Sequence, residues 1–398
     1  MFMSDAIYNR EVHLQGYLRS DGRKGIRNQI MVAYLVECSH FVVSKIVRHF
    51  EGIAPGIVHE VGFPGCYPNS HAERVLSGLA THPNVGAVLF VSLGCESMNR
   101  EKLDKLVKAS GRPSRTISIQ EVGGTQNAID LGIEWVTGVM DILASETKVD
   151  MDISELSVAT ICGGSDGTSG ITANPAVGLS FDTLVDMGAT CIFEETGELI
   201  GCETHMSERG STPEISKALV ESVDKAARYY STLGFASFAP GNADGGLSTI
   251  EEKSLGAYSK SGTRPIEGII KPAELPTQKG LWLLDVVPDG EVRFGFPNIA
   301  DNAEITELIA CGAHMVLFTT GRGSVVGSAI SPVIKICANP ETYSRMSNDM
   351  DVNAGKVLEG VELDSVANEI TDLVVSVAQG QQTKSEALGH AECLITYK

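Results

Sequence analysis

Long hydrophobic runs are missing from this sequence. Apolar stretches such as residues 87–93 and 314–318 fall far below the roughly 20 residues a membrane span needs. Residues 1–10 are polar and contain no apolar signal core, so a cytoplasmic location is expected. Basic charge is also scarce. There are 31 Lys and Arg against 50 Asp and Glu, a net charge of −19, and no run of Lys and Arg supplies a local exception. Such a field repels nucleic-acid phosphates and anionic lipid, and neither is expected as a partner. The nine cysteines are odd in number and lack CxxC spacing, which argues against a secreted disulfide framework. They are thiols, ligands or core fillers. No GxxxxGK[ST] loop, full GxGxxG spacing or solenoid repeat is present.

What is present is the composition of a large globular protein: 398 residues, 43% hydrophobic and 20% charged, with 42 glycines and only 15 prolines. That length suggests two or three domains. Residues 30–36 form a short β-branched apolar run, and residues 40–50 follow with apolar positions at helical spacing. The alternation recurs at 87–93 then 100–109, 116–119 then 125–143, and 157–161 then 175–186. Further apolar runs lie at 189–193, 281–286 and 314–318. Buried strands separated by helices predict an α/β fold built on parallel sheets. Asn174-Pro175 reads as a helix start and Gly188 as its stop. The acidic stretch 145–155 separates two blocks, giving an N-terminal α/β domain at 1–145 and a second domain at 150–398. Residues 234–264 have little periodicity and read as a long functional loop.

Open parallel sheets bind ligands beyond the carboxyl ends of their strands. There this sequence places Cys38, Gly94-Cys95-Glu96, Gln120-Glu121, the turn Cys162-Gly163-Gly164-Ser165-Asp166-Gly167, Glu194-Glu195, Asp285, and Thr319-Thr320-Gly321-Arg322-Gly323-Ser324. Cys66 lies in the turn 62–68. Thiols beside carboxylates suit iron or zinc, and equally each cysteine read alone suits a small buried hydrophobe. The glycine turns offer amides to a carboxylate or phosphate, or merely permit tight bends. Arg23 and Arg27, in a turn before the first strand, have guanidinium forks suited to carboxylates, or are solvated. Glu195 and Glu203, near Cys202 and His205, are candidate ligands or bases.

Several segments resemble the altronate and galactarate dehydratase family. They are the stretch 16–28 with Arg23, Arg27 and Asn28, Gly94-Cys95-Glu96, Ile119-Gln120 with Gly123-Gly124-Thr125, the block 162–175, Gly245-Gly246-Leu247, Glu252-Lys253-Ser254-Leu255-Gly256, 318–325, and Asn348-Asp349-Met350-Asp351-Val352-Asn353. The resemblance implies a hydro-lyase of sugar acids using a divalent metal, with Fe2+ expected and Mn2+ or Mg2+ as alternatives. It implies a dimerising domain at 1–145 and a variant Rossmann-like domain at 150–398. Relatives commonly carry an N-terminal β-clip domain, and only a short polar segment precedes Gly16 here. A small β-clip (SAF-like) subunit or a second copy in a homo-oligomer is therefore an expected partner. Departures occur at Gly65-Cys66-Tyr67 in place of a Gly-Cys-Gly turn, at Cys202-Glu203-Thr204 with His205 displaced by one, and at Ala354, where a cysteine often stands. A sulfolactate sulfo-lyase large subunit is also similar.

Dehydrating a hydroxy acid requires removing the proton beside the carboxylate and expelling a hydroxyl. The expected assignment puts Cys66, Cys95 and Cys162 at the metal. Glu195 and Lys253 are the candidate bases, with Asp166 also in a catalytic role. Arg23, Arg27, Asn28, Ser165, Arg322 and Ser324 contact the substrate. The alternatives are elimination from a sulfonated hydroxy acid and a noncatalytic small-molecule-binding subunit.

Overall fold

A computed structural model describes residues 12–232, 238, 240–291 and 300–398. The expectation for residues 1–10 lies outside them, as does part of 234–264. Two parallel sheets organise the chain. The first has four strands in the order Val58–Gly62, Gln29–Tyr34, Val85–Ser92, Ser114–Ser118. Every residue of Val85–Ser92 is buried, as befits a central strand covered on both faces. Helices Glu37–Phe50 and Thr125–Ala144 pack on one face through Val42, Val43, Ile46, Val136 and Val139. Ser70–Ala80 and Arg100–Ala109 cover the other through Val75, Leu76, Leu79, Leu103 and Val107.

The second sheet has seven parallel strands, in the order Ile266–Ile270, Gly280–Leu284, Thr190–Phe193, Ser157–Cys162, Met315–Thr320, Val333–Cys337, Val352–Asn353. From Ser157–Cys162 the chain adds three strands on one side, Gly280–Leu284 slotting between Thr190–Phe193 and Ile266–Ile270, then returns to add Met315–Thr320 on the other. That reversal makes the crevice beyond Cys162 and Thr319 a topological switch point, where α/β sheets bind ligands.

The acidic stretch is more than a separator. Its Val149–Met151 pairs antiparallel with Leu14–Leu18, which also pairs with Lys24–Gly25, so a small ribbon ties the start of the first block to the start of the second. The reading of 234–264 as an irregular loop needs correction. Its described part holds helices Pro240–Asp244 and Ile250–Ser259, the latter capped by the Thr249 hydroxyl accepting the Glu252 N–H. Asn174 does not cap its helix either. It is buried inside the first turn, where its Oδ1 accepts from Thr319 Oγ1 at 2.7 Å and its Nδ2 donates to the Gly256 carbonyl at 3.0 Å. Gly188, at φ +88°, does end that helix.

The two sheets share one apolar core. Ser70–Ala80 packs on Asp301–Ala310, and a Cβ at Gly78 would lie 2.8 Å from the Ala310 carbonyl oxygen, so only glycine allows this approach. Asn84 is a buried joint beside it. Its Oδ1 accepts from the Ile26 N–H at 2.9 Å, and its Nδ2 donates to the His314 carbonyl and Ser331 Oγ at 3.1 Å each. Among the described residues no helix is long and apolar enough to cross a membrane.

Candidate functional site

Cys162 ends the strand that begins the switch point. The following turn is bound to the neighbouring strand's exit loop: Gly163 N–H donates to Thr319 O at 2.9 Å, and the Gly321 and Arg322 N–H groups donate to Gly164 O at 3.0 Å. One strand over, Glu195 follows Thr190–Phe193 with φ +100°, a left-handed conformation that costs a non-glycine residue about 1–3 kcal/mol. The bend begins the 3₁₀ turn Thr196–Leu199, in which side chains three apart eclipse, so Glu195 and Glu198 face the same way.

Both reach the Cys162 sulfur. The thiol lies 2.9 Å from Glu195 Oε2 and 3.1 Å from Glu198 Oε2, while Ser165 Oγ stands 3.5 Å away. The Cys162 backbone N–H donates to Glu195 Oε1. Lys253 lies in helix Ile250–Ser259 and Lys260 caps its C-terminal end, seven residues on and so on the same helical face. Lys253 pairs with Glu198, and Lys260 pairs with Glu195 while donating to Cys162 Sγ at 3.3 Å. Burial and the Glu198 charge push the Cys162 thiol up to about 11, although both lysines pull the other way. Burial alone would lower Lys253, but the Glu198 and Cys162 charges outweigh it and raise its pKa, so it rests as an ammonium. Asp301 lies at the start of its helix, and burial together with Glu198 holds it up at about 6.

A cleft of about 230 Å³ touches this cluster at Lys253 and Ser165 and is otherwise lined by residues that include Asp166, Asn174, Leu247, Glu252 and Leu255. Behind it, Glu194 is 1% exposed and neither carboxylate oxygen has a hydrogen-bond partner among the described residues. Burial and the Glu307 and Glu198 charges raise its pKa to about 8, against the pull of Lys260 and Lys398.

The structure sorts the sequence candidates into groups. Cys162, Glu195, Lys253 and Ser165 come together. Asp166 stands beside them, but its carboxylate is occupied in bracing the turn, accepting from Thr168, Ser169 and Asn339. Arg322 flanks Gly164 and donates to Gly241 O at 2.7 Å, while Ser324 Oγ accepts the Val326 N–H. Arg23, Arg27 and Asn28 do not line the cleft. Arg27 spends its fork on both Glu386 oxygens and on the Ile26, Val377 and Gln381 carbonyls. Arg23 holds Asp21 and Thr81 O, and Asn28 links Arg19 to Glu146. Cys66 and Cys95 belong to the edge of the other sheet and are exposed. Glu203 folds back on the Gly201 N–H, and His205 rests near the Tyr258 ring. The sequence reading missed Glu198 as a functional group, and it missed Lys260. The signal for both was spacing, Glu195 to Glu198 across one 3₁₀ turn and Lys253 to Lys260 across two helical turns.

Residues 153–398 match the family described as D-galactarate/altronate dehydratase, C-terminal, and residues 16–144 match D-galactarate dehydratase/altronate hydrolase, second domain. The chain belongs to this family. Among curated relatives it is 33% identical over 391 residues to the (2R)-sulfolactate sulfo-lyase subunit beta of Chromohalobacter salexigens, covering 96% of each chain. It is 29% identical to the altronate dehydratase of Bacillus subtilis, spanning 95% of this chain and 76% of that one. It is 30% identical to the galactarate dehydratase (L-threo-forming) of Escherichia coli, spanning 92% and 73%.

The metal suggested by the resemblance can be tested against these donors. Cys162, Glu195 and Glu198 bring one ligand atom each within 4.8 Å of one another, a spacing an ion can bridge. Yet two ammonium groups already balance the two carboxylates, and the raised thiol pKa favours its neutral form. An entering ion would have to displace the Lys260 ammonium from between Glu195 and Sγ. With both lysines in place the donor set does not fit a resident divalent ion.

Proposed function

We propose that this protein is a hydro-lyase that removes water from a small hydroxy acid of the sugar-acid class, giving a 2-keto-3-deoxy product. The observation that supports this most is the side-by-side pairing of a protonated lysine and a carboxylate, Lys253 with Glu198, where the cleft meets the switch point. A β-elimination needs one base and one acid, and the pair offers both. Glu195 is pinned by the Cys162 N–H and Lys260, which suits it to a holding role. Glu198, the more exposed of the two acids at 13% against 5% of its side chain, is the base.

In the reaction Glu198 takes the proton next to the substrate carboxylate. The C–H electron pair becomes the C=C bond, the C–O bond breaks, and the departing hydroxyl leaves as water with a proton from Lys253. The enol then tautomerises to the 2-keto acid. Glu198 returns its proton to Lys253 through the contact they share, which restores the resting state. Ser165 and the amides of the glycine turn at 163–167 would receive the substrate carboxylate, with Arg322 reaching it on release from the Gly241 carbonyl, and Asp166 holds that turn in shape.

A second reading is elimination of sulfite from a sulfonated hydroxy acid, favoured by the match along 96% of both chains with the sulfo-lyase subunit. That relative is named a beta subunit. Association with a small β-clip subunit, or of this chain with itself, is accordingly part of the proposal, and light scattering on the purified chain tests the latter. The iron requirement that the resemblance implies, with manganese or magnesium as alternatives, is part of it too, met away from the Cys162, Glu195 and Glu198 donors that Lys253 and Lys260 already occupy.

Aldonic, aldaric and sulfonated hydroxy acids incubated anaerobically with the protein and ferrous iron should yield a 2-keto product from one class. Sulfite release would decide for the second reading. No turnover of any, alone or with a small partner subunit, would overturn both in favour of a binding role.

A further inference from the structure

Six of the nine cysteines are buried or half-buried, and the three exposed ones are Cys38, Cys66 and Cys95. All three leave the carboxyl ends of neighbouring strands in the four-stranded sheet. Cys66 follows Val58–Gly62, Cys38 follows Gln29–Tyr34, and Cys95 follows Val85–Ser92, and these strands are adjacent in that order. Strands lie about 4.8 Å apart, so the outer two exits are only about 10 Å from each other.

The three exits are stitched together by backbone. Glu37 N–H, one residue before Cys38, donates to Pro64 O at 3.0 Å, two residues before Cys66. The Cys66 carbonyl accepts from Ser97 N–H at 2.9 Å and from Ser97 Oγ at 3.0 Å, two residues beyond Cys95. Glu96 accepts the Gly94 N–H at 2.9 Å and closes the Cys95 turn. Cys38 sits in the first turn of the 14-residue helix Glu37–Phe50, which fixes its place on the rim. Buried cysteines are the ordinary case, and three exposed thiols on one fixed rim ask for a ligand.

We propose that Cys38, Cys66 and Cys95 are thiolate ligands of an iron–sulfur cluster. Thiolates select iron or another soft metal over magnesium. Bonds of about 2.3 Å let a single ion hold sulfurs no more than about 4.6 Å apart. At least one pair of the three sulfurs lies more than 4.8 Å apart, wider than a single ion spans, which leaves a polynuclear centre as the ligand that can bridge the rim. Four-iron clusters ordinarily take four cysteines. Three leave one iron without a protein ligand, open to a hydroxyl or carboxylate oxygen. The cluster would be the iron requirement of the proposed function, but the assignment stands apart from the roles of Lys253 and Glu198, because its test is spectroscopic.

The full chain, purified anaerobically, is reconstituted with ferrous iron and sulfide and desalted. Iron, acid-labile sulfide, visible absorbance and the electron paramagnetic resonance of the reduced protein are then recorded. Expected are equal iron and sulfide and a broad visible band, with retained iron falling at least about ten-fold in each of Cys38→Ser, Cys66→Ser and Cys95→Ser. Cys162→Ser should keep the cluster. The thermal melt of each variant checks its fold, and alanine replaces serine at any position where serine unfolds the chain. A wild type with no band, iron held without sulfide, a cluster that survives all three substitutions, or one lost in folded Cys162→Ser would each overturn the assignment. Turnover of a hydroxy acid has no bearing on these outcomes.

Discussion

Replacing Lys260 by methionine should be among the costliest single changes in this protein. Its side chain is 1% exposed and its ammonium holds Glu195, itself 5% exposed, together with the Cys162 sulfur. Methionine keeps most of the volume, so little of the loss comes from packing. What remains is a carboxylate deep in the sheet edge whose hydrogen bonds, among the described residues, are those with the Cys162 N–H and thiol. Breaking a buried pair by removing one partner costs about 3–5 kcal/mol. Lys260→Met with Glu195→Gln removes both charges and should recover to within about 1–2 kcal/mol of wild type, a gain of roughly 2–3 kcal/mol over Lys260→Met alone. The sequence has two tryptophans: Trp135 in Thr125–Ala144 beside the first sheet, and Trp282 in the second. In a Trp135→Phe background, denaturant unfolding followed by fluorescence reports the seven-stranded sheet alone. A Lys260→Met cost below about 1 kcal/mol, or a double variant no more stable than the worse single one, would refute the argument.

Other consequences can be checked separately. Lys260→Met also vacates the space between Cys162, Glu195 and Glu198, so millimolar Mn2+ or Zn2+ should raise its melting temperature by more than that of the wild type. Lys253→Met should lose at least about a hundredfold in turnover while melting cooperatively, since acid catalysis contributes about 10²–10⁴-fold; activity near wild type would remove Lys253 from the mechanism. Gly78→Val should cost about 1–3 kcal/mol in denaturant, because its Cβ meets the Ala310 carbonyl at 2.8 Å. The pKa of Glu194 is raised in the fold to about 8, so folding takes up a proton between its ordinary value, about 4.5, and about 8. Stability is fully present below that window and falls as pH rises through it, and Glu194→Gln should flatten the fall in a denaturation series against pH.

The alternation of strand and helix was legible because doubly covered strands must be apolar throughout, as in Val85–Ser92 and Met315–Thr320. Cys162 and Glu195 could be placed at strand ends for the same reason. Sequence could not say which sheet each strand end joins. Strand-end position alone groups Cys66 and Cys95 with Cys162, although the fold assigns them to a different sheet. Arg23 and Arg27 illustrate a second limit. A guanidinium fork suits a substrate carboxylate and a structural one equally, and only the fold reveals that Glu386 and three carbonyls already occupy Arg27. Short edge strands such as Val352–Asn353 and the antiparallel ribbon carry too few residues to show a period. Lys260 escaped because a charged residue at the end of a helix ordinarily points to water, and only the buried Glu195 opposite explains why this one does not.

The close approach at Gly78 and the Asn84 joint bear on how anything enters the cleft. A helix pair seated backbone against side chain, with a buried amide bonded to both halves, resists opening like a hinged jaw, because every such bond would have to break without water at hand. Entry then falls to smaller parts at the rim. Helix Ile250–Ser259 is the foremost of these, since it carries Lys253 into the cleft and holds Asn174 by a single backbone carbonyl at Gly256. A shift of that one helix would widen the opening and at the same moment carry Lys253 away from Glu198. A site built this way is chemically competent only when shut.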